Sequence, residues 1–359
     1  MTRIEDKKLA VLYSSFNNYD VLEKEALKRI NFQGFPIINV DDKSATKERE
    51  KGVKLCKENK IFFLDNSGKG LQNAVQTSIN YCDENLPNCE WILCLQQDFF
   101  PLGENFFNSF LDKVEEKNLS RVGAIGFNCL DDSSEVSYSF GSLKEYYSGK
   151  EPKGFLGVFF LSDSKKNKYR MSLFYRIILL ILKNLPIKFF KRKAYLYNLS
   201  KRVFSQKGLY KYDKVKKKYQ DTFSIELPVW AGIAINIKKW KEYISVDNDY
   251  IFHLWFPDIA MQFLSQNINL AVIPDLYCHN EITVKEKYGM NYSSANAGMK
   301  NQTYHVEKLG NEIKIFESKW GFNYENPNLK KDYINSRYRN TLIEKYFNHD
   351  FRNGPLVKY

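Results

Sequence analysis

The sequence predicts an α/β protein whose mostly parallel sheet carries helices on both faces. Three observations lead there. Short apolar runs alternate with longer stretches of helical periodicity through the first third of the chain. The alternation resumes near Ile225, and the early runs end directly in Ser, Asp, Asn or Gln. Such alternation builds strand–helix–strand units, because each strand must be covered before the next pairs with it. The 359 residues, 43% of them apolar, supply ample core for one large domain or two.

Residues 9–13, 36–40, 60–64, 91–95 and 121–127 read as strands. Between them, residues 20–30, 46–59, 70–82 and 104–118 place apolar side chains at helical intervals and end in Asn, Asp or Gly. This is a Rossmann-like first half, in which ligands bind beyond the C-terminal ends of the strands. Ser14 and Ser15, Asp41 and Asp42, Asp65 and Asn66, and Gln96, Gln97 and Asp98 occupy those ends. After Asn128 the pattern breaks into a stretch containing Ser, Tyr and Gly, residues 131–157. It returns as a strand at 228–237, a helix at about 258–266 and a strand at 270–273. The tail from Asn311, with Lys319-Trp320-Gly321, suggests a helical or looped cap.

Charge is local. The net charge is +12, yet residues 165–218 hold 18 basic side chains and one acid, Asp213, so the remainder of the chain sums to −5. One basic segment facing something anionic is expected, not a surface that wraps nucleic acid. The six cysteines show no Cys-x-x-Cys and, with four histidines, no zinc spacing, which fits reduced thiols in a cytosol. Residues 1–8 carry acids and run straight into the apolar 9–13, leaving no signal-peptide pattern. The longest charge-free apolar run, 177–182, is far short of the ~20 residues that span a bilayer. A cytoplasmic protein is expected, peripheral on the inner face of the plasma membrane if the basic segment meets lipid.

The strand-end residues suit one task, binding a sugar carried on a nucleotide diphosphate. Asp41 and Asp42 follow a buried strand and are placed to accept from a base NH or ribose hydroxyl. Capping of the next helix by Asp42 or Ser44 is the plainer role for such residues. Asn66, Gly70 and Asn73 lie in a Gly-rich turn and helix start of the kind that meets phosphate or ribose. Asp98 ends an apolar strand, where a carboxylate is costly unless solvated, hydrogen-bonded or metal-bound. It is the first metal-ligand candidate. His279, at the end of the apolar run that begins at Leu270, is the second. Carboxylate and imidazole together with diphosphate oxygens suit Mn2+, or Mg2+.

In order along the chain, these pieces resemble the inverting family-2 glycosyltransferases of bacterial type, which have the GT-A fold. Val40-Asp41-Asp42-Lys43-Ser44 is similar to the family's first acidic strand end, and residues 66–73 to its Asn/Gly-rich helix start. Gln96-Gln97-Asp98 looks like its Asp-x-Asp metal motif, with Gln96 in place of the first Asp. Residues 228–235, with Trp230 and Gly232, are similar to the acceptor-side strand. Residues 255–263 resemble the acidic helix start that supplies the base, residues 272–279 the strand whose histidine joins the metal, and Lys319-Trp320-Gly321 a C-terminal element. The resemblance covers about 9–128 and 225–281.

The chain is expected to divide into four segments: a nucleotide-sugar half (1–130), an insertion with the basic amphipathic segment (131–224), an acceptor and catalytic half (225–282) and a C-terminal cap (283–359), the resemblance covering neither the basic insertion nor most of the cap. Ser14, Asp41, Asp42, Asn66, Gly70, Asn73, Gln96 and Gln97 would meet the donor, Asp98 and His279 a divalent cation. Trp230, Gly232 and Trp255 would meet the acceptor, a saccharide or lipid-linked hydroxyl. Asp258 would be the general base, with Asp247, Asp249 and Glu281 next in line. The activity implied is inverting hexosyl transfer in surface polysaccharide or glycan assembly. The other class is a non-enzymatic binder, whose basic residues and interleaved aromatics at 165–218 would hold anionic membrane or single-stranded nucleic acid.

Overall fold

A computed structural model describes residues 4–131, 155–156, 158–159, 223–225, 227–228, 232–251, 254–280, 302–322, 331–348 and 359. The basic segment 165–218, Trp230 and Glu281 lie outside the described residues.

The strands are β1 (Leu9–Ser15), β2 (Ile37–Asp41), β3 (Phe62–Asp65), β4 (Trp91–Leu95), β5 (Phe99–Pro101), β6 (Ala124–Asp131), β7 (Phe155–Leu156), β8 (Val158–Phe159), β9 (Phe223–Ile225), β10 (Leu227–Pro228), β11 (Ile233–Asn236) and β12 (Leu270–Asn280). The main sheet runs β3-β2-β1-β4-β11-β6-β12-β5, with β7 beside β6 and β9 beside β12, while β8 and β10 form a separate pair. Strands β3, β2, β1 and β4 pair in parallel, as do β6 and β12. Antiparallel β11 joins these two blocks, pairing with both β4 and β6. The expected α/β class, a mostly parallel sheet with helices on both faces, is found.

Alternation sorts the strand residues into two layers. Ala10 and Leu12 of β1 lie in one core cluster, Leu9, Val11 and Tyr13 in the other. β4 lies between two strands and beneath both layers, so all five of its residues are buried and apolar. One layer holds a helical stretch over residues 19–29 (α1), Thr46–Glu58 (α2) and Phe106–Glu116 (α4); the other holds Gly70–Asn85 (α3), Ile237–Tyr243 (α5) and Trp255–Ser265 (α6). The second layer continues into Gln302–Trp320 (α7), Lys331–Arg337 (α8) and Leu342–Asn348 (α9), where Phe316, Trp320, Ile334, Leu342 and Ile343 join the core formed with α3 and α6.

Several boundaries differ from the sequence reading. The strand expected over 228–237 ends one residue early, at Asn236, because the Asn236 side chain accepts the Lys239 amide (3.0 Å) and starts α5 at Ile237. Helix α6 begins at Trp255, three residues early, since Pro257 in a first turn loses no hydrogen bond. β12 runs on to Asn280 by jumping register between Ile273 and Tyr277. Pro274 lies in that bulge, where its missing N–H costs the ladder nothing. The two halves of β12 thereby serve different partners: Leu270 to Val272 pair with β9, Cys278 to Asn280 with β5.

Candidate active site at the C-terminal edge of the sheet

At the tops of β1, β2 and β4, polar side chains form a buried chain of hydrogen bonds. Gln97 Nε2 donates to Ser15 Oγ (2.8 Å), Ser15 Oγ to Asn39 Oδ1 (2.5 Å), Asn39 Nδ2 to the Tyr19 hydroxyl (3.3 Å) and that hydroxyl to Asp41 Oδ2 (2.6 Å). Asn18 and Gln97 also bond to each other through their amides. Every donor points the same way, so each bond polarises the next. Burial, and then the Asp41 carboxylate, push the Tyr19 phenol well above the usual tyrosine range. Asp41 is 1% exposed, and its other oxygen accepts the Ser44 amide (2.9 Å). Asp41 and Gln97 are therefore the two ends of an interior relay, and neither is turned outward.

Asp42 is half-buried and turned to α3. It accepts Asn66 Nδ2 (2.8 Å) and the Gly70 amide (3.0 Å), so it meets the start of α3 and leaves α2 without a side-chain cap. Asn66 Nδ2 also donates to the Gly70 carbonyl (3.1 Å), and Asn73, one turn on, donates to Asn248 (2.9 Å). Asp42, Asn66, Gly70 and Asn73 are thus brought together, with half-buried Ser14 nearby on β1. The role expected for Gly70 needs correction. Its φ is +75°, and an added Cβ would lie 2.6 Å from the Ile251 carbonyl oxygen, so the close approach is made by this chain and not by a phosphate.

Asp98 precedes β5, and His279 lies opposite Phe100 in the β5–β12 ladder, with ring centroids 6.3 Å apart. Asp98 lies in the turn between β4 and β5, two residues before the Phe100 that His279 faces across the ladder. Asp98 and His279 are buried, at 3% and 1% exposure, while Gln96 is half-buried. A carboxylate in that turn and an imidazole on β12 fit a manganese-type donor set if diphosphate oxygens complete it. Among the described residues no three His, Cys, Asp or Glu side chains form a group able to hold a metal ion.

The acceptor-side candidates fare differently. Trp255 is 1% exposed, its indole packed edge-on against Phe256 at 5.5 Å, so it is a core side chain with no ring face for a sugar. Gly232 has φ +118°, and a Cβ there would strike the Phe99 ring: the glycine makes room for Phe99, not for a substrate.

Asp258, in the first turn of α6, is fully buried. Its Oδ2 accepts from Gln72 (3.1 Å), Gln262 (2.8 Å) and Lys319 (3.1 Å), and its Oδ1 from Trp320 Nε1 (2.8 Å), with the Lys319 ammonium 2.9 Å away. Two carboxylate oxygens offer about four lone-pair positions, so this group is saturated. Asp247, which shares Lys319 at 3.1 Å, keeps 25% side-chain exposure. Tyr250 packs beneath Lys319, and burial, then Asp258 and Asp247, push its phenol well above the usual range. Sequence reasoning named Lys319 and Trp320 only as a terminal element and missed Gln72, Gln262, Asn18, Tyr19 and Asn39. Asn39, polar inside an apolar strand, was the one legible signal.

No family model and no curated protein matches this chain. The chain is similar to two glycosyltransferases of solved structure. One is the mannosyltransferase PcManGT from Pyrobaculum calidifontis in complex with GDP-Man and Mn2+, at 9% identity and TM-score 0.42, covering 76% of this chain and 56% of that one. The other is GalNAc-T7 with UDP, GalNAc and Mn2+, at 9% identity and TM-score 0.45, covering 76% and 44%. The chain thus spans about half the length of each.

Proposed function

We propose that this protein is a glycosyltransferase of family-2 type with the GT-A fold, moving a hexose from a nucleotide-diphosphate donor to a hydroxyl of a saccharide or lipid-linked acceptor with inversion. One observation carries the reading. A single edge of the sheet gathers Asp42 and Asn66 on the start of α3, half-buried Ser14 and Gln96, Asp98 in the turn before β5, and His279 opposite Phe100 on β12. Acceptors for base and ribose, a helix start and a cation-binding pair are what a sugar nucleotide needs.

Asp42, with Asn66 beside it, would receive the nucleoside, and Gln96 and Asp98 the sugar–diphosphate side. Asp98 and His279 would hold a divalent cation, Mn2+ or Mg2+, whose charge offsets that developing on the leaving diphosphate. Gln96 contributes no charge there, so this site carries one carboxylate fewer than an Asp-x-Asp pair.

The test is a screen of UDP-, GDP- and dTDP-sugars for release of nucleoside diphosphate with Mn2+, with Mg2+ and with chelator. Metal-dependent release from one donor supports the reading; none from any donor overturns it.

The same reading puts residues 165–218 on an anionic membrane, where a lipid-linked acceptor lies, and so in the cytoplasm at the inner face of the plasma membrane, in surface polysaccharide or glycan assembly. Its support is the local charge of +17. Among the described residues no helix is long and apolar enough to cross a membrane. Sedimentation with phosphatidylglycerol vesicles should show binding that weakens as salt rises; binding indifferent to lipid charge and salt would remove the membrane from the proposal, and tight nucleic-acid binding without donor release would favour the non-enzymatic class.

A further inference from the structure

We propose that the acid–base work at this edge belongs to Asp247, and that Asp258 is a positioning residue that holds Lys319 and Trp320. The inference rests on the glycosyltransferase reading and departs from the base that the family resemblance implies. A general base needs an oxygen lone pair facing the hydroxyl it deprotonates. Asp258 has none to offer, being 0% exposed and bonded by Gln72, Gln262, Lys319 and Trp320. Asp247 is partly exposed, and its carboxylate receives only the Lys319 ammonium (3.1 Å) and the Asp249 amide (3.0 Å) among the hydrogen bonds described for it.

Asp247 is also tied to this edge of the sheet. Its amide donates to Gln72 Oε1 (2.8 Å), in the first turn of α3. The same turn begins at Gly70, whose amide binds Asp42. The first turn of α3 therefore holds both Asp42, by the Gly70 amide, and Asp247, by the Gln72 side chain, and Asp247 keeps 25% side-chain exposure. Lys319, 31% exposed and bridging the two aspartates, is fixed from below by Asp258 and orients the carboxylate above.

In the transfer, the acceptor oxygen forms its bond to the anomeric carbon while the bond from that carbon to the diphosphate oxygen breaks. The electron pair leaves with the diphosphate, and the hydroxyl proton passes to Asp247.

The experiment compares Asp247→Asn, Asp258→Asn and Lys319→Met in the full chain, using the sugar nucleotide found active and water as acceptor. Asp247→Asn is expected to lower kcat by about 10²-fold with donor KM unchanged and the melting temperature lowered by less than in Asp258→Asn, and to abolish the acidic limb of the pH–rate profile. Asp258→Asn is expected to lower the melting temperature and kcat while that limb persists. Loss of the limb in Asp258→Asn and its retention in Asp247→Asn overturns the proposal. A second arm needs no donor and no unfolding-sensitive comparison: acetylation of wild-type Lys319 by acetic anhydride, followed by mass spectrometry, should be several-fold slower than that of exposed Lys69. Equal rates overturn the positioning role. If no sugar nucleotide is turned over, the glycosyltransferase reading and the base assignment fail together, while the acetylation result still decides what Asp258 does.

Discussion

The Lys319 ammonium lies 2.9 Å from Asp258 Oδ1 and 3.1 Å from Asp247 Oδ2, and so bridges one fully buried carboxylate and one that water reaches. The two ends of this bridge have unequal energetics. Lys319→Met leaves the Asp258 charge buried without a cation and should cost about 3 kcal/mol, the lower end for a broken buried pair because the lysine is itself partly exposed. Asp247→Asn breaks only the solvated end and should cost about 1 kcal/mol or less. Guanidinium unfolding of both variants measures this, and equal losses would show that burial does not separate the two contacts.

Gly232 packs beneath Phe99 with φ +118°. Gly232→Ala adds both backbone strain and overlap with the ring, and should destabilise by about 2–4 kcal/mol. Adding Phe99→Leu should return only the overlap part. Full recovery in the double variant, read by thermal unfolding, would mean that the backbone is not strained.

At the proposed cation site, Asp98→Ala should abolish Mn2+ binding in the presence of nucleoside diphosphate, and His279→Ala should weaken it with rescue at high metal. Gln96→Asp should strengthen binding, because it restores a charge beside Asp98. Calorimetric titration of MnCl2 into protein and diphosphate reads all three. Binding unchanged by Asp98→Ala would remove this pair from the site.

Stability should fall at alkaline pH. Burial pushes the Cys56 thiol from 9.0 up to about 12 and the Tyr338 phenol from 10.0 up to about 12. In both the folded state holds its proton where the unfolded state releases it. Their contribution is therefore complete below about pH 9 and is lost progressively up to about pH 12, with each titrating group removing about 1.4 kcal/mol per pH unit inside its window. Denaturant unfolding at about pH 8, 9.5 and 11 tests the sign; a flat response would contradict the burial of these two groups.

The sequence by itself determined the strands and helices of the first half, and the edge where the candidate site lies. These follow from near neighbours: β4 is apolar because it is covered on both faces, and polar residues at its end mark the place where the cover stops. It also marked Asp42, Asn66, Asp98 and His279 as residues out of keeping with their surroundings. The tertiary structure decided what each one faces. Asp258 meets Gln72, 186 residues away, and Lys319, 61 residues away. Gly70 is pressed by Ile251, Gly232 by Phe99, and Asp41 is sealed by Tyr19 and Asn39. Periodicity reports only which face of an element is buried, and it carries no record of which distant segment buries it. A carboxylate at a helix start therefore reads the same whether it faces a substrate or, like Asp258, a lysine and an indole from a helix that packs there only when the whole chain has folded.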